Sequence, residues 1–345
     1  MSPDTAESLE RRYAVDPEAH RLFLKGRQFA IGSSREMDKA VEYFQQAIAM
    51  DPGYAEPYAG LADACMTQAI HGVLAREEAL EMSKAAVDRA LAIDGSLAEA
   101  LAASAERKYL FEWDWVGAEN DLKRAVELNP GSDFARASYA YFLSAVGRFD
   151  DAIEQAKIAK ELDPLSPSAF HLVAYSLMGK REYDRAATEF RAALDLNPNW
   201  TWGYIKLAKT YADNGQCEEA LATAEDAEAQ LHGGDTPLAR SWMGYTYGVC
   251  GDSERAEAAL QTLDEFAQRA DVDPLAYGII YAAFGDSDRL LDELERAVDG
   301  HSVLAVFLPA VPSYSVPGIE NNPRFQTLMQ RTGFTGSNVH EGVFE

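Results

Sequence analysis

The stretch that decides the fold runs from residue 133 to residue 200. Its first half is DFARASYAYFLSAVGRFDDAIEQAKIAKELDPLS, and its second half is PSAFHLVAYSLMGKREYDRAATEFRAALDLNPNW. The two halves align without a gap, which places Ala140 over Ala174 and Pro164 over Pro198. The period is therefore 34 residues. A period of this length is typical of a helical hairpin that stacks on copies of itself.

Small residues recur where the two helices of each hairpin would meet. Ala140 and Ala174 lie on the first helix, and Ala152 and Ala186 lie on the second. A larger side chain at such a crossing would overpack the contact, at a cost of about 1–3 kcal/mol. Each hairpin buries its apolar face only against its neighbours, so the pattern predicts a continuous stack.

Looser copies of this unit extend over most of the chain, and no segment shows the period-2 alternation of a strand. We therefore expect an all-α fold, a right-handed α-solenoid superhelix of about eight helical hairpins, over residues 16–300. The predicted repeats cover residues 18–54, 55–97, 98–132, 133–166, 167–200, 201–234, 237–270 and 271–300.

Two copies are longer than the standard unit. The second has extra residues around His71, Gly72 and Val73, where we expect lengthened helices or a longer turn. The third has one inserted residue, and its turn contains Trp113 and Trp115. These tryptophans could form a binding feature. The preferred interpretation is that they plug the edge of the solenoid at the longer turn.

The two ends of the chain depart from the repeat. Residues 1–15 are polar and are predicted to be a lead-in or linker. Residues 301–333 combine a proline-rich segment with a final helix, which Asn322 can cap and Gly333 can close. We expect this helix to cover the open end of the stack. Residues 334–345 are predicted to be a disordered tail.

The composition limits the classes of partner. The formal net charge is −25, from 56 acidic and 31 basic side chains. Such a charge repels nucleic-acid backbones and anionic membranes, and it favours neutral or basic partners over acidic ones. A simple solubility role for the charge is the alternative. Neither nucleic-acid binding nor membrane insertion is expected, because no basic stripe and no spanning apolar run occur.

The cysteines and the N-terminal sequence indicate the compartment. Cys65, Cys217 and Cys250 are too few and too scattered for a disulfide framework, so they suit a reducing environment. The first residues contain no apolar run of the kind found in a signal peptide. We therefore predict a cytoplasmic location.

The 34-residue unit resembles the tetratricopeptide repeat over about 280 residues of the chain. The chain also resembles the C-terminal repeat regions of bacterial class III adenylate cyclases, winged-helix regulators and serine/threonine kinases. The segments that carry the narrower resemblance are PEAHRLFLKGR, FEWDWVGAENDLKRAVELNP, GRFDDAIEQAKIAKELDPLSP and NNPRFQTLMQRTGF. In that group the repeats are a sensory or interaction module attached to an effector domain.

The resemblance implies a concave groove lined by the first helix of each hairpin, at repeat positions 2, 5, 9 and 12. The candidate protein-binding residues on this stripe are Phe134, Tyr141, His171, Tyr175, Met178, Trp202, Ile205, Lys209 and Tyr245. Aromatic groups with a polar tip are favoured at interfaces. The alternative is that some of them pack between neighbouring repeats.

Two further features of the stripe bear on the partner. Repeats two and three carry acidic residues on it, namely Glu56, Asp63, Glu99 and Glu106. Family members that clamp chaperone C-termini use Lys and Asn on this face. Here the fourth repeat has Phe134, Ala137 and Tyr141 instead. This departure argues against a chaperone-tail clamp.

Motifs that carry chemistry are missing from the sequence. It contains no GxxxxGK[ST], HExxH or CxxC, and its six histidines lack metal-ligand spacing. His171 is the one histidine on the stripe, and a polar groove residue is the preferred interpretation over a catalytic base. The sequence therefore predicts no enzyme, no cofactor and no metal.

Two functions of different classes remain from the sequence. The first is a non-enzymatic scaffold that binds a peptide or protein segment in the groove. The alternative is a regulatory or sensor module that controls an attached or partner effector. An enzyme with an unrecognised site has no support in the sequence. The identity of the partner and the oligomeric state are not determined by it.

Overall fold

The structure is a computed structural model that describes residues 15–30, 34–231, 235–306, 316 and 318–333. These residues contain 17 α-helices and no strand. The helices are α1 (Pro17–Phe29), α2 (Ser34–Met50), α3 (Glu56–Ile70), α4 (Arg76–Ile93), α5 (Ala98–Arg107), α6 (Trp115–Leu128), α7 (Asp133–Ala145), α8 (Phe149–Leu162), α9 (Pro167–Gly179), α10 (Tyr183–Leu196), α11 (Thr201–Asp213), α12 (Cys217–Gln230), α13 (Pro237–Val249), α14 (Ser253–Ala267), α15 (Pro274–Ala283), α16 (Ser287–Asp299) and α17 (Pro323–Arg331).

Consecutive helices pair into eight hairpins, from α1 with α2 to α15 with α16, and each hairpin stacks on the next. The predicted all-α fold of about eight stacked hairpins with a terminal helix is therefore confirmed. We assign one repeat to each hairpin and number the hairpins one to eight. The exact boundaries given from the sequence remain a proposal.

The turn within a hairpin demands an unusual backbone conformation. Gly147 and Gly215 have φ of +76° and +74° at equivalent places, 68 residues or two periods apart. Arg181 lies midway between them and also has a positive φ, of +59°. Glycine adopts this left-handed region without a steric penalty, whereas a side chain clashes there. Arg181 is therefore held in a strained conformation by its neighbours.

Close approach of helices explains the small residues of the pattern. Ala140, Ala174 and Ala208 are fully buried on the first helices of hairpins four to six. In hairpin one, a Cβ on Gly26 would lie only 2.5 Å from the Phe44 ring. The helices pack at a distance that only small residues allow, as their spacing in the sequence predicts.

The inserted residue of hairpin three is absorbed by a change of helix type. After Arg107 the first helix continues as a π-helix over Lys108–Glu112, and Trp113 follows with φ of +54°. A π-helical turn takes up one extra residue without breaking the helix. The turn that follows presents Trp113 and Trp115 toward the C-terminal end of the chain.

The two tryptophans join hairpin three to distant parts of the chain. Trp115 is 6% exposed, and its Nε1 donates to the carbonyl of Thr332 at 2.9 Å. Trp113 stacks on the His301 ring, with 4.6 Å between ring centroids. These contacts agree with a packing role at the edge of the solenoid. They also join hairpin three to the C-terminal end of the chain, a contact that the sequence did not indicate.

Helix α17 packs against α16 at the end of the stack. Phe325, Leu328 and Met329 are buried. Arg324 pairs with Glu295 at 2.8 Å and with Asp292 at 2.7 Å, both on α16. Helix α17 is thus held by hairpin eight on one side and by Trp115 of hairpin three on the other.

Cys217 and Cys250 form a disulfide bond, with 5.3 Å between their Cα atoms. The prediction that the cysteines are too scattered for a disulfide framework did not anticipate this bond, while Cys65 is free and buried. Their separation of 33 residues is close to one repeat, which brings the start of α12 beside the end of α13. The cysteine content consequently gives no support to a reducing compartment.

The stack curls until its early and late hairpins meet. The His71 ring at the end of α3 lies edge-on to Trp202 of α11, with centroids 4.9 Å apart. Gly72 lies against Pro237, the first residue of α13. Arg76 donates from Nε to the carbonyl of His301 at 2.8 Å. The extra residues predicted in the second repeat therefore form a bridge across the superhelix.

Some expectations from the sequence lie outside the described residues. They concern the lead-in, the turn at Ser33, the phase break after Leu231, most of the proline-rich segment and the C-terminal tail, at residues 1–14, 31–33, 232–234, 307–315, 317 and 334–345. Within the described ranges, none of the helices combines the length and the apolar character needed to cross a bilayer.

Candidate functional site

The inner face of the curled stack encloses a cavity of about 950 Å³. Its walls come mainly from the first helices of hairpins one to seven, which are α1, α3, α5, α7, α9, α11 and α13. The volume is in the range of small-molecule and peptide sites, which are usually concave and partly aromatic. The contact between His71 and Trp202 closes part of one side.

Most of the residues predicted for the groove line this cavity. The structure places eight of the nine on its wall: Phe134, Tyr141, His171, Tyr175, Met178, Trp202, Ile205 and Lys209. Tyr245 does not line it. That ring is fully buried, because α13 packs closely on α11, and its hydroxyl donates to Asp213 at 2.8 Å.

Aromatic rings form the middle of the cavity wall. Tyr141 and Tyr175 stack, with centroids 5.7 Å apart. The His171 ring lies 5.5 Å from that of Trp200 and 6.0 Å from that of Tyr175. The aromatics therefore both face the cavity and pack between neighbouring hairpins, so the two interpretations made from the sequence do not exclude each other.

Carboxyl groups gather toward the N-terminal half of the cavity. Glu106 accepts from the Ser138 hydroxyl at 2.7 Å, and its carboxyl is hydrogen-bonded to that of Asp63. Burial raises the pKa of Asp63 to about 6. Burial and the Asp63 charge raise the pKa of Glu106 well above its usual range. Both carboxyls therefore keep a proton to a higher pH than exposed carboxyls do.

Two lysines lie at the opposite, C-terminal half of the cavity. Lys209 is 2% exposed and pairs with Asp213, one turn further along α11. Lys206 is 6% exposed, and its Nζ lies 4.7 Å from the Trp202 ring centroid and 4.2 Å from that of Trp242. Burial lowers the pKa of Lys206 well below its usual range, and the Lys209 charge lowers it further.

The sequence prediction missed Lys206, because it occupies repeat position 6 and not one of the four stripe positions. A signal was present, since Lys206 follows Trp202 by four residues and shares its side of the helix. The sequence could not indicate Trp242, which completes the lysine's surroundings from the next hairpin.

Two histidines border the lysine end of the cavity. Burial lowers the pKa of His71 to about 4 and that of His171 to about 3, and the nearby Lys206 charge adds to both shifts. Both rings are therefore neutral at physiological pH. Within the part of the chain that the structure describes, Nε2 of His171 is buried and has no hydrogen-bond partner.

The described residues contain no group of three His, Cys, Asp or Glu side chains arranged to hold a metal ion. What the cavity offers instead is an acidic half, an aromatic middle and an end lined by Lys206 and Lys209. Such an arrangement can bind a molecule by shape, by stacking and by hydrogen bonds.

The comparisons with known proteins agree with this architecture. The family model of the tetratricopeptide repeat matches residues 32–54 and 167–199. The TPR repeat-containing protein YpiA of Bacillus subtilis (strain 168) is 26% identical to this chain over 193 residues. The match covers 55% of this chain and 43% of that protein, so it spans less than half of the relative's length.

Two solved structures are among the matches. The human IFIT1 dimer with PPP-AAAA has a TM-score of 0.58 at 14% identity, over 87% of this chain and 68% of that chain. The thermophilic TPR protein TTC0263 of Thermus thermophilus has a TM-score of 0.44 at 17% identity, over 56% of this chain and 98% of that chain. At 14% identity the likeness to IFIT1 shows the fold alone.

None of these matches is named as a cyclase, a winged-helix regulator or a kinase, so the narrower resemblance stays a prediction. The repeat itself is established by the 34-residue period, the eight stacked hairpins and the matches to repeat models and repeat proteins. This chain is a tetratricopeptide repeat protein.

Proposed function

We propose that this protein is a non-enzymatic scaffold that binds a peptide or an extended protein segment in the cavity formed by its first helices. Tetratricopeptide repeat proteins act in general as scaffolds for protein–protein interaction. The observation that carries the finer proposal is the half-buried Phe134, which lines the cavity on the same helix as Tyr141. Half-buried aromatics on a concave surface are the usual anchors of an interface.

Charge favours a neutral or basic segment over an acidic one. Glu56, Asp63, Glu99 and Glu106 all line the cavity on the side of Phe134. The whole chain carries a net charge of −25, which attracts cations over a longer range. Side chains of Lys or Arg on the segment would meet these carboxylates.

The same charge supports the proposal that nucleic acid is not a partner. The IFIT1 structure contains PPP-AAAA, but likeness in fold transfers no ligand at this identity. Binding to a polyphosphate backbone requires many released counterions and therefore many basic contacts. Sub-micromolar, salt-sensitive binding of duplex DNA or single-stranded RNA to the purified chain would contradict the proposal.

A photo-crosslinking experiment tests the peptide site. Benzoylphenylalanine replaces Phe134 on the cavity wall in one variant and Val116, which is 64% exposed, in another. After irradiation in lysate of the source cell, mass spectrometry identifies the crosslinked segments. We expect the Phe134 position to capture a small set of segments that the Val116 position does not capture.

The segment found in this way is then synthesised and titrated into purified protein. Phe134→Ala should weaken its binding at least about tenfold, as truncation of an interface anchor does. Val116→Ala is the control on the outer surface and should leave the affinity unchanged. Equal crosslinking at both positions, or an affinity that Phe134→Ala does not change, would remove the support for this site.

A further inference from the structure

Lys206 is buried without the partner that a buried charge requires. Among the described residues, its Nζ has no ion pair and no hydrogen bond, although the ammonium group has three N–H donors. The two indole faces of Trp202 and Trp242 are the groups that stabilise the positive charge. Ring faces attract the charge without accepting directional hydrogen bonds, so the described residues supply no acceptor for the N–H donors on this cavity wall.

The remaining wall of this end of the cavity supplies a buried polar atom without a hydrogen-bond partner and an apolar lining. His171 carries the buried Nε2 without a partner, and both His171 and Lys206 line the cavity. Trp200, Ile205 and Leu238 contribute apolar surface beside them. Lys209 faces the same space but already pairs with Asp213.

We propose that Lys206 and His171 bind the carboxylate of an apolar organic acid, whose body lies against Trp202 and Trp242. A carboxylate has several acceptor sites, so it can accept from the ammonium and from the Nε2–H tautomer of the imidazole together. The carboxylate comes from a small free acid or from the C-terminus of a bound peptide. The inference goes beyond the peptide-binding proposal, because it concerns the lysine end of the cavity and not Phe134.

Proton uptake distinguishes this site from ordinary apolar binding. The charged groups that face Lys206 are Lys209 and Asp213 on its own helix, and the titratable rings are His71 from α3 and His171 from α9. The unliganded lysine has a lowered pKa, and a bound carboxylate would raise it again. Binding is therefore coupled to uptake of a proton, and it strengthens as the pH falls toward the lowered pKa of the unliganded lysine.

The experiment is isothermal titration with phenylacetate and, as the neutral isostere, phenylacetamide. Each titration is repeated in two buffers with different heats of ionisation. The difference between the two observed binding enthalpies gives the number of protons taken up on binding. A second arm uses a short alanine peptide ending in phenylalanine, with a free or an amidated C-terminus. In at least one arm, we expect the ligand with a free carboxylate to bind at least about tenfold more tightly than its amide counterpart. The arm that binds identifies the source of the carboxylate.

Two variants locate the site. Lys206→Met keeps the length of the side chain and removes the buried charge, so the chain should remain folded and lose the preference for the acid. Lys157→Met removes an exposed lysine, and it should change neither the folding of the chain nor the preference for the carboxylate ligand. Because proton uptake is measured on the unaltered chain, the test stands even if Lys206→Met misfolds. Equal binding of acid and amide in both arms, the lack of proton uptake, or unchanged acid binding by a folded Lys206→Met would overturn the proposal.

Discussion

At the scale of single residues, the cavity concentrates ionisable groups away from bulk water. Asp63 and Glu106 share a hydrogen bond there, and burial is the main cause that raises both of their pKa values. In the unfolded chain both groups would titrate near their ordinary values of roughly 4. The folded state therefore binds more protons than the unfolded state from about pH 4 upward through the folded pKa values.

This difference predicts how stability depends on pH. A raised carboxyl pKa contributes stability at low pH that is lost as the pH rises, so the pair should destabilise the fold at about pH 8 relative to about pH 5. Glu106→Gln keeps a donor for Asp63 and removes the second charge. We expect it to raise the urea midpoint at the higher pH, with a smaller gain at the lower pH. The exposed Glu161→Gln is the control, and an equal response of both variants would contradict this assignment.

The strained turn of hairpin five gives a second prediction. Arg181 has φ of +59° where the equivalent Gly215 has +74°. Removing the side chain from a left-handed position relieves roughly 1–2 kcal/mol. Arg181→Gly should therefore increase the free energy of unfolding by about 1 kcal/mol, and Gly215→Arg should decrease it by a similar amount. Denaturant titration of both variants measures the two changes, and a destabilised Arg181→Gly would show that the arginine's own contacts outweigh the strain.

At the scale of elements, α17 performs two tasks. It covers the apolar face of α16, and its end receives the Trp115 hydrogen bond from hairpin three. Burying Phe325 and Leu328 contributes roughly 1.5–3 kcal/mol each. In a stack of repeats the loss of an end unit first destabilises its neighbour. Here α17 has a second neighbour besides hairpin eight, namely hairpin three, which is far away in the sequence.

Truncation after Gly300 should therefore loosen two separate regions. Hydrogen exchange should speed up in α16, over residues 290–298, and also around Trp115 at the start of α6. Hairpins four and five should keep their protection. Trp115→Phe, which removes the hydrogen bond to Thr332 and part of the ring's packing beside Tyr109 and Phe142, should affect α6 more than α16. If truncation leaves the exchange of α16 unchanged, α17 does not act as a cap.

The disulfide predicts a stability that depends on redox state. Cys217 and Cys250 link the start of α12 to the end of α13 and close a segment of 33 residues. Constraining a loop of that length stabilises the fold by about 3–4 kcal/mol in the chain-entropy model. Dithiothreitol should lower the urea midpoint of the native chain but not that of a Cys217→Ser, Cys250→Ser variant. A denatured native chain with three titratable thiols instead of one would show that the bond does not form.

At the scale of the whole molecule, the sequence predicted the stack but not its closure. The repeat period fixes the hairpins, because every copy repeats the same local packing. Closure depends on His71 with Trp202 and on Trp113 with His301, which are pairs that no period relates. The same limit explains the candidate site. The stripe positions predicted eight cavity residues, whereas the surroundings of Lys206 depend on how α11 and α13 meet.

An open solenoid couples only neighbouring repeats, and its cooperativity declines as the array lengthens. In this molecule, hairpins two and three also contact hairpins six to eight and the terminal helix. A closed stack should therefore unfold as one unit. Tryptophan fluorescence and circular dichroism should give coincident urea transitions for the native chain.

Removing the ring contacts that close the stack should abolish this cooperative unfolding and leave each hairpin folded. His71→Ala removes the ring that meets Trp202, and His301→Gly removes the ring on Trp113 and relieves a φ of +51°. The double variant should have a larger radius of gyration by small-angle X-ray scattering, and its two urea transitions should separate. His20→Ala is the matched control, because Nδ1 of that ring lies 2.9 Å from the Tyr54 hydroxyl within the same predicted repeat, and this contact spans no closure. The result that would contradict this is an unchanged radius of gyration with coincident transitions in the double variant. In that case the contacts between neighbouring hairpins alone would set the curvature of the stack. The contacts across the superhelix would then be a consequence of that curvature and not its cause.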